Sequence, residues 1–220
     1  MILCETHCHT KEVSLCANVP AREIPALYKT AGYGAVIVTD HYNYWTLAEL
    51  GGERKLQIER WLTGWRIVKE EGERIGLKIF LGMELALPGI TADFLVYGFG
   101  EEFLLGNPGL AEESLDRAAE LIHREGHLIF QAHPFRDNMV CAPPELLDGV
   151  EVFNGNARHN SRNGQAAQYA ASNGHIGIAG SDFHEYEDLG RGGIWLPDDI
   201  GDNNELTAYL THHDVKLRTL

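Results

Sequence analysis

The sequence predicts an α/β fold closed into a seven-stranded, TIM-like (β/α)7 barrel, with residues 1–220 forming a single domain. Three observations carry that reading. Short apolar, β-branched runs alternate with helical stretches along the whole length. No repeat, low-complexity segment or linker interrupts them. Several strand-like runs also lead into His, Asp or Glu, and a barrel of this kind gathers its polar groups where its strands end.

The chain opens on Ile2-Leu3-Cys4, the apolar start of a first strand that ends near His9. Alternate side chains of an extended segment share a face, so His7 and His9 point one way and Cys8 the other. A helix follows over 20–32: Pro20 suits its first turn, Ile24, Leu27, Tyr28 and Ala31 recur at helical spacing, and Gly32 ends it. The β-branched run 35–39 is a buried strand leading into Asp40 and His41. Residues 42–52, with Tyr42, Tyr44 and Trp45, read as an aromatic loop broken at Gly51-Gly52. A long amphipathic helix spans 53–76, and its spacing assigns Trp61 and Trp65 to the core rather than to a binding platform.

The strand 77–81 leads into Glu84, and the next, 92–99, carries Asp93. After a loop over 100–109 come a helix over 110–126 and a strand over 127–131 leading into His133. A short helical turn at 143–147 precedes the strand 149–153, which ends at Asn154. A helix over 161–173 and a strand over 175–179 lead to Asp182 and His184. Ile194-Trp195-Leu196 is one further short strand, and 203–213 a last helix.

Composition narrows the function. At 44% hydrophobic and 23% charged residues, the chain has ordinary globular make-up. No apolar run has the length of a membrane span, and the N-terminus lacks the basic-then-apolar pattern of a secretory signal. Cys4, Cys8, Cys16 and Cys141 show no CxxC spacing, which fits free thiols in a reduced, cytoplasmic setting. A net charge of −14 without a Lys/Arg cluster argues against tight binding to long nucleic acid. It is compatible with a small phosphorylated substrate, because bound cations reverse the local field. Histidine is over-used, with 11 residues; His212 and His213 read as merely exposed.

Five of the other histidines fall at strand ends with acidic residues: His7 and His9, Asp40 and His41, Glu84, Asp93, His133, then Asp182 and His184. Singly, each has a plain structural reading, such as a hydrogen-bonded core histidine, a helix cap or a turn aspartate. Together, ionisable groups meeting at one rim would cost roughly several kcal/mol in desolvation unless cations lay between them. Imidazole and carboxylate suit Zn, Mn or Fe. Five histidines with at least two carboxylates exceed one tetrahedral site and suit two or three divalent metal ions sharing ligands.

The motifs Glu5-Thr-His-Cys-His-Thr10, Thr39-Asp-His41, Glu84, Ala132-His-Pro134 and Gly180-Ser-Asp-Phe-His184 together resemble the PHP (polymerase and histidinol phosphatase) superfamily. The resemblance runs from residue 3 to about residue 197. It implies a distorted barrel with a trinuclear metal centre that hydrolyses phosphate esters. It assigns His7, His9, Glu84 and Asp182 to one metal, has Glu84 bridge to a second that His133 also binds, and gives His41 and His184 to a third. It makes Asp40 a partner that orients a ligand histidine. Glu5 stands where Asp is usual. Asp93 stands where a histidine is frequent. No histidine follows the His-x-His pair by about six residues, where the family often has one; Glu12, Cys16 or a water is available as a substitute.

Catalysis by this arrangement would fall to Glu84, Asp40 and His184, with Arg136, Asn154 and Arg158 as candidate contacts for substrate. The expected activity is that of a phosphatase on a small phosphorylated metabolite. Three alternatives stand beside it: a nuclease or nucleotide phosphatase on short oligonucleotides or bisphosphonucleotides, with Tyr42, Tyr44 and Trp45 stacking bases; amidohydrolase chemistry on a C–N bond; and a non-catalytic metal-binding regulatory domain.

Overall fold

The computed structural model describes residues 1–212 and 214–220. Among them are ten strands and seven helices rather than seven alternating pairs. In chain order these are β1 (Ile2–Cys8), α1 (Ile24–Thr30), β2 (Ala35–Val38), β3 (His41–Tyr42), α2 (Tyr44–Leu50), α3 (Arg54–Ile75), β4 (Lys78–Ala86) and β5 (Asp93–Tyr97). There follow α4 (Glu101–Gly106), α5 (Leu115–Arg124), β6 (Leu128–Gln131), β7 (Gly149–Asn154), α6 (Asn163–Asn173), β8 (Ile176–Gly180), β9 (Gly192–Leu196), α7 (Asn203–His212) and β10 (Lys216–Thr219).

The sheet runs β10-β9-β1-β2-β4-β5-β6-β7-β8, with β3 paired to β4 at one end. It nearly closes on itself: beyond β8, Phe183 bridges Cys8, with hydrogen bonds of 3.0 Å from His9 N to Phe183 O and from Phe183 N to His7 O. The pairing is mixed. β5 is antiparallel to both β4 and β6, and β9 is antiparallel to β1 and β10. The expected seven-stranded parallel count therefore does not hold. A helix cannot cross between β4 and β5, because only residues 87–92 separate them and a parallel crossover needs a dozen or more.

Both faces of the sheet are covered, so its strands read as unbroken apolar runs. On β2, Ala35 and Ile37 join an inner core with Phe80, Tyr97 and Phe130, while Val36 and Val38 pack outward with Tyr28 of α1 and Val68 of α3. Leu206 and Leu210 of α7 also belong to the inner core. Lys78, at the start of β4, donates to the carbonyls of Asp198 and Ile200 just before α7. That helix therefore covers the end of the barrel where β4 begins, and the opposite end is left for Glu84.

Two stretches expected as loops are helical. Residues 44–50 form α2 because the Asn43 side chain accepts from Thr46 N at 2.9 Å, an N-cap that the aromatic run obscures. Residues 101–106 form α4, with Phe103 and Leu104 buried. The helix expected over 203–213 is α7; His212 is exposed, and residue 213 lies outside the described residues. Trp61 is core, as its spacing implies, and its Nε1 donates to His41 O at 2.9 Å. No helix among the described residues is long and apolar enough to cross a membrane.

Candidate metal centre

At the rim where β1 ends, His7 and His9 lie side by side, and Glu84 of β4 stands opposite them. Glu84 is 1% exposed, yet four imidazoles surround its carboxylate. Oε1 is 3.0 Å from His133 Nε2 and 3.3 Å from His7 Nε2. Oε2 is 2.8 Å from His41 Nδ1 and 3.4 Å from His9 Nε2. Asp182 closes the circle, with Oδ1 3.6 Å from His7 Nε2, 3.7 Å from His9 Nε2 and 3.2 Å from His184 Nδ1. Three overlapping groups have ligand atoms within 4.8 Å of one another: His7/Glu84/His133, His7/His9/Asp182 and His9/His41/His184.

These donors fit divalent cations. The Nε2 atoms of His7 and His9 are buried and lack a hydrogen-bond partner. Buried polar atoms are normally paired, so two orphans aimed at the same carboxylates mark a place for a positive charge. The imidazoles are also held in the tautomer that a metal requires. His7 Nδ1 lies 3.0 Å from Glu151 Oε1. His9 Nδ1 lies 3.2 Å from Ser14 Oγ, and the Ser14 hydroxyl donates to Asp40 Oδ1 at 2.7 Å. Because the serine proton goes to the carboxylate, Ser14 Oγ must accept from His9 Nδ1–H, which leaves the Nε2 lone pair free.

The electrostatics follow from this crowding. Burial would raise the Glu84 carboxyl, but His7, His41 and His133 hold it well below the usual range. Asp182 is likewise held down against burial by His7, His184 and Arg136. Burial would lower His7 and His41, but Glu84 raises both well above the ordinary histidine value. His184 rises against burial to about 10 through Asp182. His9 goes the other way, pushed well down by burial and by its neighbours His184 and His41.

Backbone geometry at two of these residues is unusual. His133 has φ 29° and Asp182 φ 52°, in the left-handed region that costs a non-glycine residue about 1–3 kcal/mol. Glu151 Oε2 restrains the first by accepting from His133 N at 3.0 Å. Gly180 gives the close approach that the site needs, since a Cβ there would lie 2.6 Å from His7 Cβ.

Several expected residues have other placements. Asp40 touches no imidazole. Its carboxylate accepts from Thr10 N, Thr10 Oγ1 and Ser14 Oγ, each at 2.7 Å, and reaches His9 only through Ser14. It is 2% exposed and does not line the recess over the centre, so it is not placed to deliver a proton there. Burial raises it to about 6, against the Thr10 and Ser14 hydrogen bonds. Glu12 is exposed and caps Ala21 N at 2.8 Å; it belongs to none of the three groups. Asp93 reaches the rim as the first residue of the antiparallel β5, not as a strand end, and its Oδ2 is 4.0 Å from His133 Nε2. Burial and Glu84 raise it to about 6. Asn154 is engaged with Glu151 Oε2 at 2.9 Å and Asp182 Oδ2 at 3.2 Å. Arg136 donates to Asp182 Oδ2 at 2.6 Å, so it neutralises a centre carboxylate. Arg158 is paired with Asp188 at 2.8 Å, yet it lines the recess with His159.

Two buried carboxylates carry more than the sequence suggested. Glu5 braces the rim, with Oε1 accepting from the N–H groups of Thr6, His7 and Ser181 and Oε2 from Tyr28 OH. Glu151 was not anticipated. The signal was present: a lone charge inside Gly149-Val-Glu-Val-Phe153, in a sheet buried on both faces.

The family model described as PHP-associated (PHP_C) matches residues 160–215. No curated protein matches the chain. Among solved structures, a two-domain protein from Bacteroides vulgatus, described as containing a predicted PHP-like metal-dependent phosphoesterase, aligns at TM-score 0.74 and 16% identity. That alignment covers 99% of this chain and 64% of the other, so the chain spans somewhat under two thirds of that relative. PsfC from Pseudomonas syringae aligns at TM-score 0.67 and 17% identity, over 100% of this chain and 91% of the other. The lesion-specific endonuclease EndoQ from Pyrococcus furiosus aligns at 0.61 and 13%, over 98% and 57%. These likenesses concern the fold. The family-model match spans α6, β8, β9 and α7, the stretch that carries Asp182 and His184.

Proposed function

We propose that this chain is a metal-dependent hydrolase of phosphate esters acting on a small phosphorylated molecule. The observation that carries the reading is the division of the Glu84 carboxylate, whose two oxygens each face a different pair of imidazoles. A carboxylate so placed suits a bridge between two cations. In this reading His7, His9 and Asp182 hold one ion, His133 a second, and His41 and His184 an outer one. Bound divalent ions would supply Lewis-acid charge to a phosphoryl group and an activated water.

The chain's own residues do the positioning. The recess over the centre has a volume of about 280 Å³, the scale of a small metabolite. Arg158 and His159 are exposed on its wall, where a phosphate oxygen entering the recess would meet them. Of the groups expected in catalysis, Glu84 and His184 face this recess and Asp40 does not. Metal identity is left open among Zn, Mn and Fe, although Asp93 beside His133 adds oxygen character that favours the harder ions there.

A second reading, a nuclease on short oligonucleotides, draws on a different observation. Trp45 is 76% exposed and Tyr44 50%, and both line an apolar recess with Asn43, Ala86, Leu87 and Pro88. Asn43 and Ala86 each follow a centre residue, His41 and Glu84, by two positions. Exposed aromatics so close to the centre suit stacking of a base. Tyr42 does not share that role, since it is fully buried against Trp61. The deciding experiment compares metal-dependent hydrolysis of p-nitrophenyl phosphate and a panel of phosphorylated metabolites with cleavage of a labelled short RNA. Turnover of the small esters that vanishes on chelation supports the first reading. Cleavage of RNA alone supports the second, and no hydrolysis of either with Zn, Mn or Fe present overturns both.

A further inference from the structure

Cys16 stands on the wall of the recess above the centre. Its loop turns Glu12 outward to cap Ala21 N, while Cys16 Sγ rests 3.2 Å from His41 Nε2. The other nitrogen of His41, Nδ1, lies 2.8 Å from Glu84 Oε2. His184 repeats the pattern, with Nδ1 3.1 Å from Asp182 O and 3.2 Å from its Oδ1, and it also hydrogen-bonds the Cys16 thiol. Both rings are thus held at Nδ1 by acidic residues of the centre, and Nε2 is the nitrogen left to meet a cation. That is the usual carboxylate–histidine–metal arrangement. His9, fully buried and with an unpartnered Nε2, brings a ligand atom within 4.8 Å of those of His41 and His184.

We propose that Cys16 is a thiolate ligand, together with His41 and His184, of an outer metal site that selects a zinc-class cation. The proposal rests on the metal-centre reading above. A sulfur with two imidazole nitrogens is a softer donor set than Glu84, Asp182 and Asp93, so the outer and inner positions differ in the metal they prefer. Three protein ligands leave one position open for water or substrate. As the sulfur–metal bond forms, the thiol proton passes to solvent and no electron is transferred. The other cysteines are not so placed: Cys4 and Cys8 are buried in the core, and Cys141 Sγ faces Pro134 O at 3.8 Å.

Cobalt(II) is the probe, because a cobalt–thiolate bond gives near-ultraviolet charge-transfer absorption that nitrogen and oxygen ligands do not. The full chain, stripped of metal, is titrated with cobalt as wild type, Cys16→Ser and Cys16→His. In parallel, iodoacetamide labelling is read by peptide mass spectrometry with and without zinc. The wild type is expected to show the band. Cys16→Ser loses it and binds about one equivalent less. Cys16→His regains the equivalent without the band, and zinc protects Cys16 but not Cys141 from alkylation. Cobalt uptake by the wild type without the band, or labelling of Cys16 indifferent to zinc, overturns the proposal while the metal-centre reading stands. Absence of any cobalt uptake overturns both.

Discussion

Glu151 Oε1 lies 3.0 Å from His7 Nδ1, with both side chains sealed from solvent. The same carboxylate accepts from His133 N and Asn154 Nδ2 through Oε2. One buried charge therefore fixes the ring of one candidate ligand and the strained backbone of another. A glutamine of the same shape offers one acceptor and one donor to three donors, so at least one N–H must face another. Glu151→Gln is expected to weaken metal binding about 10–100-fold, as loss of a ligand's supporting partner does. Competition titration with a chelating dye measures it, and imidazole nitrogen NMR should show His7 no longer locked in one tautomer. Unchanged affinity and an unchanged His7 signal would remove Glu151 from the positioning role.

Asp40 acts at one remove, through Ser14. Ser14→Ala and Asp40→Asn should each lower metal affinity by about 10–100-fold. Because the two residues are links of one chain, the double variant should be little worse than either single one. Additive losses, read from the same titration, would mean that Asp40 reaches the centre by another route.

Without metal, the raised values of His7, His41 and His184 make protonated imidazoles the counter-charge of Glu84 and Asp182. A group with a raised folded value stabilises the fold fully below its unfolded value, about 6.5 for histidine, and loses that stabilisation as pH rises through the folded value. For His184 that value is about 10. The chelated protein should therefore lose melting temperature steadily from neutral pH toward pH ~10. Cations must displace these protons, so metal affinity should rise with pH, and calorimetry in buffers of different ionisation enthalpy should register proton release. His9, already held neutral, contributes nothing to that release. A melting temperature that climbs with pH in the chelated protein would contradict this account.

Gly64 tests the packing behind the site. Helix propensity alone predicts that Gly64→Ala, inside α3, gains about 1 kcal/mol. The added Cβ would lie 2.2 Å from Thr10 Oγ1 and 2.8 Å from Asp40 Oδ2. Overpacking costs about 1–3 kcal/mol and should win, because both atoms belong to the Asp40 network and cannot move without breaking it. Urea denaturation of the chelated protein reads the sign directly.

Much of the centre was legible in the chain. His7 and His9 share a face by strand parity, and Glu84, His133 and Asp182 follow apolar runs that can only be buried strands. What stayed hidden depends on direction and on partners. Strand polarity is not written in Ala92–Phe99, so Asp93 read as a strand end rather than as the first residue of an antiparallel β5. Asp40 beside His41 suggested a direct pair, but its acceptors are filled by Thr10 and Ser14, which lie across a turn that no periodicity reveals. Glu12 and Cys16 were equivalent by position, and only the fold of their loop turns one away and the other inward.

The central claim is that Glu84 joins two cations. Metal content by elemental analysis of purified wild type and Glu84→Gln, with hydrolysis assayed on the same samples, tests it most directly. The account expects at least two equivalents per chain in the wild type and a loss of both metal and activity in the variant. A Glu84→Gln protein that retained the wild-type metal content and turnover would contradict it.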